Sequence, residues 1–115
     1  MTNFLYHNPK CSKSRAAIEL LNAQGIKYKV KEYLKTGLTR EEVQSLLRKL
    51  VLNTPLDGLM RVKEMPEVDF EGLSKDELVA LLIAHPFLLE RPIFETPVTA
   101  VIARPTKVLA DFLAI

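Results

Sequence analysis

The sequence predicts an α/β sandwich built on a mixed four-stranded sheet. Three observations carry that expectation. Short strand-like runs and helix-periodic segments follow one another in the order β-α-β, a helical insertion, then β-β-α. Two capping boxes mark helix starts inside the insertion. The 115 residues are the size of one domain, 1–115, able to bury one ordinary core.

Asn3 to His7 is an apolar, aromatic run stopped by Asn8-Pro9, a strand entering a turn. From Ser12 the period becomes helical, with Ala17, Leu20 and Leu21 in phase and Ile18 one turn behind Leu21 and Asn22. Gly25 stands where a left-handed cap ends such a helix. Lys27 to Tyr33 alternates, with Tyr28, Val30 and Glu32 on one side and Lys29, Lys31 and Tyr33 on the other. Its lysines place this second strand at or near a sheet edge, and Thr36-Gly37 breaks it.

Thr39-Arg40-Glu41-Glu42 is a capping box, followed by an apolar stripe of Val43, Leu46, Leu47 and Leu50. Asn53 to Phe70 is punctuated by Pro55, Gly58 and Pro66, so short helical turns and loops are expected there. Ser74-Lys75-Asp76-Glu77 opens another helix with Leu78, Leu81 and Leu82 on one face, and His85-Pro86 closes it. Strands follow at Ile93 to Thr96 and Ala100 to Ala103. Pro105 suits the first turn of a closing helix whose apolar face is Val108, Leu109, Phe112 and Leu113. A βαβ unit followed by a hairpin and a covering helix is a thioredoxin-type sandwich. In that fold a cis-proline lies beside the reactive cysteine, which predicts a cis Arg91-Pro92 bond facing Cys11.

Composition narrows the functional classes. With 48% apolar and 26% charged residues and no low-complexity tract, the chain is globular. A formal charge of +2, with basic and acidic residues interleaved as in Lys63-Glu64, gives no argument for nucleic acid. No segment approaches the roughly 18 apolar residues of a membrane span, and the first residues lack a signal-peptide pattern. One cysteine makes no internal disulfide, so a cytoplasmic, monomeric protein is expected.

That cysteine carries the chemistry. Cys11 lies in His7-Asn8-Pro9-Lys10-Cys11-Ser12-Lys13-Ser14-Arg15, between the first strand and the first helix. Unpaired amides and the dipole at a helix start favour a thiolate. Lys10, Lys13 and Arg15 add positive charge, and the loop is expected to expose the sulfur. A lone cysteine is more ordinarily a small buried hydrophobe, and the cationic setting weighs against that. Ser14 stands where a Cys-x-x-Cys pair would have its second thiol, so redox work requires an external thiol. Its hydroxyl either donates to the thiolate or caps the helix start. His7 either lowers the thiol pKa as an imidazolium or simply packs at the strand end. His85, before a proline at a helix end, reads as structural.

The segment from His7 to Arg15 resembles the signature of the glutaredoxin-dependent arsenate reductase family, and in particular a less characterised, arsenate-reductase-related subgroup. Leu59-Met60-Arg61, His85-Pro86, Glu90-Arg91-Pro92-Ile93, Thr96-Pro97 and Ala103-Arg104-Pro105 resemble its later blocks, so the likeness spans nearly the whole chain. It implies Cys11 as nucleophile and Arg61, Arg91 and Arg104 as catalytic oxyanion ligands, with His7, Ser14 and Arg15 in support. It also implies arsenate as substrate, glutathione as co-substrate, glutaredoxin as partner and no bound cofactor or metal. Guanidinium forks suit a tetrahedral oxyanion and favour a nearby thiolate. Without the resemblance each arginine reads as an ordinary surface residue. Two other readings stay open: an RNA-polymerase-binding regulator of the same fold, and a thiol oxidoreductase with another substrate.

Overall fold

A computed structural model describes residues 2–50 and 58–114. The stretch 51–57, including Pro55, lies outside the described residues. The strands are β1 (Phe4–Tyr6), β2 (Lys29–Lys31), β3 (Ile93–Glu95) and β4 (Ala100–Ile102). They form one sheet in the order β2-β1-β3-β4, with β1 parallel to β2 and antiparallel to β3, and β3 antiparallel to β4. The lysine-bearing β2 is an edge strand, as its composition predicts.

The helices are α1 (Ser12–Ala23), α2 (Tyr33–Thr36), α3 (Arg40–Lys49), α4 (Lys75–Ala84) and α5 (Thr106–Phe112). Successive strand residues face opposite sides, which divides the core in two. Leu5 and Phe94, paired across β1 and β3, pack with Ala17 and Leu21 of α1 and Leu109 of α5. Tyr6 and Ile93, the next pair, pack on the other face with Val43 and Leu46 of α3 and Leu78, Val79 and Leu82 of α4. Both capping boxes are formed, Thr39 with Glu42 and Ser74 with Glu77. Gly25, at φ +66°, ends α1 in the left-handed conformation, its N–H donating to Asn22 O at 3.1 Å.

Two expectations are revised and a third is extended. The second strand stops at Lys31, because Tyr33 turns into the core at 1% exposure and opens the one-turn α2 instead of continuing the alternation. Pro105 is the residue before α5, and its peptide bond with Arg104 is cis. The described part of the irregular middle contains short 3-10 turns at Val62–Glu64 and Phe70–Gly72, as expected. It also contains a two-stranded contact: Arg61 N–H donates to Leu88 O and Glu90 N–H to Leu59 O, each at 2.7 Å. Among the described residues no helix is long and apolar enough to cross a membrane.

Candidate active site

The turn that presents Cys11 is braced from within. Cys11 N–H donates to Asn8 O at 3.0 Å, and Asn8 Oδ1 accepts from Lys10 N–H at 3.0 Å. Cys11 then occupies the position just before α1, with extended backbone (φ −94°, ψ 123°). Burial pushes the thiol pKa up, but the Ser14 N–H, the Arg104 guanidinium, the Lys13 N–H and the charge of Arg91 together bring it below the ordinary thiol value. The surroundings of the sulfur thus favour its thiolate form.

Positive charge reaches the sulfur from Arg104 and Arg91, not from the side chains of Lys10, Lys13 and Arg15 that the local sequence offers. Lys13 acts through its amide rather than its ammonium. Arg15 Nη1 donates to Pro9 O at 3.0 Å, so it braces the loop. Cys11 is also 8% exposed rather than open, because Arg104 Nη1 lies 3.6 Å from Sγ.

Ser14 and His7 support the loop. The Ser14 hydroxyl, fully buried, accepts from Asn8 N–H at 3.0 Å and pairs with His7 Nδ1 at 2.8 Å. It is the Ser14 amide, not the hydroxyl, that acts on the sulfur. Burial lowers the His7 pKa; Glu32 opposes this and Arg15 reinforces it, and the net shift leaves a neutral imidazole at neutral pH. Of the two roles open to His7, the geometry selects bracing over charge donation.

The arginines reach this corner from three chain segments. Arg104 follows β4, and its Nη1 is shared between Cys11 Sγ and Arg91 O, the latter at 3.3 Å. That carbonyl belongs to the Arg91-Pro92 bond, which is cis as predicted and thus tied to the sulfur through one guanidinium. Arg91 directs its N–H and Nη1 to Glu90 Oε1, at 3.0 and 3.4 Å. Its Nε is buried and has no acceptor among the described residues. A buried donor left unpaired is costly, and it marks where a ligand acceptor fits.

Arg61 sits one step further out. Its Nη2 donates to Glu64 Oε1 at 2.9 Å and its Nη1 to Phe87 O at 3.3 Å, so its fork is engaged within the protein rather than on Cys11. The contact between Leu59–Arg61 and Leu88–Glu90 nonetheless couples it to Arg91. Tyr33, which the sequence pattern treats as a strand residue, links these parts. Its hydroxyl donates to Leu89 O at 3.5 Å. Burial pushes its pKa up to about 12; Arg91 and Arg61 oppose the shift, and Cys11 and Glu90 add to it. Four charges of the site thus surround one phenol. Its signal in the sequence was an aromatic residue at the break of the lysine-rich strand. Among the described residues there is no cluster of three His, Cys, Asp or Glu suited to a metal.

A thioredoxin-like sandwich whose one cysteine stands at the start of the first helix, with its pKa lowered and arginines beside it, has the architecture of a one-cysteine thiol protein. Residues 6–112 match the model of the ArsC family, and the chain belongs to that family. It is 40% identical over 107 residues to the arsenate reductase of Neisseria meningitidis serogroup B, covering 90% of this chain and 91% of that protein. To an Escherichia coli arsenate reductase it is 31% identical over 113 residues, covering 95% and 79%. The solved arsenate reductase of Vibrio cholerae superposes with a TM-score of 0.82 at 41% identity, covering 95% and 96%.

Proposed function

We propose that this protein reduces arsenate to arsenite in the cytoplasm, with Cys11 as nucleophile and glutathione and glutaredoxin as its thiol partners. One observation carries the reading: a thiolate-favouring Cys11 shares the Arg104 guanidinium with the Arg91 loop, beside a buried Arg91 donor that has no acceptor among the described residues. Arg91 and Arg104 hold the oxyanion, and Arg61 supports them through the paired segments. The Cys11 thiolate attacks As(V), an arsenate oxygen leaves as water, and a sulfur–arsenic bond forms. Glutathione thiolate then attacks the Cys11 sulfur. The electron pair of the sulfur–arsenic bond passes to arsenic, which leaves as As(III) arsenite. Two thiols supply the two electrons, and Cys11 is left in a mixed disulfide with glutathione. Glutaredoxin removes that glutathione and regenerates the thiol.

The chain has one cysteine, so the second thiol comes from another molecule. For the same reason the internal redox switch of a Cys-x-x-Cys regulator has no partner thiol here; Ser14 is committed to Asn8 and His7. The test is purified protein with arsenate, glutathione and glutaredoxin, coupled through glutathione reductase to NADPH consumption. Arsenate-dependent oxidation that disappears in Cys11→Ser supports the reading, and none in the wild type refutes it.

A further inference from the structure

Of the clefts away from the arginines of the site, two lie along the first strand and the turn that follows it. The larger, about 480 Å³, lies between β1, the end of β3 and α3, but its charges are closed on one another. Lys31 pairs with Glu42 at 2.6 Å and Lys49 with Glu95 at 2.9 Å. The smaller, about 210 Å³, adjoins the Cys11 turn. Pro9 and Leu34 are its apolar lining, and Lys10, Lys35, Glu32, His7 and Asn8 its polar lining. Leu34 is 48% exposed although it is an aliphatic residue, and the Lys35–Glu32 pair is loose, at 3.5 Å with the lysine 76% exposed.

We propose that this smaller cleft seats the small thiol that resolves Cys11, a zwitterionic, carboxylate-bearing thiol of the glutathione class. The inference rests on the proposed reduction for its purpose, but not for its test. Chemistry requires an outside thiol next to the only cysteine, and the cleft begins one residue before it. The charges match such a ligand: Lys10 and Lys35 face its two carboxylates, and Glu32 its ammonium. Pro9 and Leu34 cover its methylene groups. A peptide of three residues spans about 10 Å, enough to rest in the cleft while its sulfur reaches the end of the turn.

The experiment uses a reaction that needs no arsenate. Cys11 thiolate attacks glutathione disulfide, forms the mixed disulfide and releases glutathione thiolate. Lys35→Glu should slow this step by about threefold or more, the scale of one exposed charge pair. Reaction with the uncharged hydroxyethyl disulfide, and alkylation by iodoacetamide and by iodoacetate, should be unchanged. An unchanged rate with glutathione disulfide overturns the proposal. So does an equal slowing with iodoacetate, which would reduce the effect to remote charge. Selective slowing in a protein that never turns over arsenate would uphold the cleft while refuting arsenate reduction.

Discussion

Arg91 Nε is a buried donor without an acceptor among the described residues, and that single atom predicts how the site responds to substitution. Arg91→Ala should weaken oxyanion binding by about 1.5–3 kcal/mol, roughly ten- to a hundredfold, read as lost protection of Cys11 from alkylation by arsenate or sulfate. Arg91→Lys should recover little, because an ammonium has no donor at the Nε position and no planar fork. The sulfur itself should alkylate with a pH midpoint below the ordinary thiol value of about 8.5. Arg104→Ala should move that midpoint upward, since Nη1 lies 3.6 Å from Sγ. A midpoint that stays put would show that the amides of α1 suffice. At this scale the sequence was legible at Cys11 through its place before a helix start, whose Ser14 and Lys13 amides act on the sulfur. It was not legible at Arg91 and Arg104, which only resemblance singled out, because their nearness to Cys11 is made by the sheet. Tyr33 went unread for the same reason.

The elements were legible wherever their signals are local. A capping box is a four-residue pattern satisfied by its own backbone, and both form as the sequence predicts. The edge position of β2 follows from its lysines. Its length does not, because the burial of Tyr33 is decided by α3, α4 and the segment near Leu89 rather than by alternation. The pairing of Leu59–Arg61 with Leu88–Glu90 joins two stretches that read as irregular, and no local period announces it. One long-range link between elements is open to measurement. Glu95 of β3, 5% exposed, accepts from Lys49 Nζ at 2.9 Å, from Ser45 Oγ at 2.6 Å and from the Tyr6 hydroxyl at 3.3 Å, fixing α3 to the sheet. Lys49→Met removes the only cation from that set and should cost about 3–5 kcal/mol in chemical denaturation.

The whole molecule should lose stability as the medium is acidified, in a defined order. The folded Cys11 pKa lies below the unfolded one, so its contribution is complete above about 8.5 and fades as pH falls through the folded value. His7, also lowered on folding, adds a loss below its ordinary value of about 6.5. Glu42 follows below the usual carboxylate range: burial opposes its ionisation, but Lys31 and Thr39 outweigh it. Denaturant midpoints across this range should show the first decline in the wild type and lose it in Cys11→Ser. The same geometry has a consequence for how the chain is made. Cys11 and Arg104 are 93 positions apart, and a ribosome delivers the first long before the second. Until β4 has paired and brought Arg104 over the sulfur, the nascent chain lacks that guanidinium's contribution to its thiolate. Full reactivity is thus reserved for the finished fold.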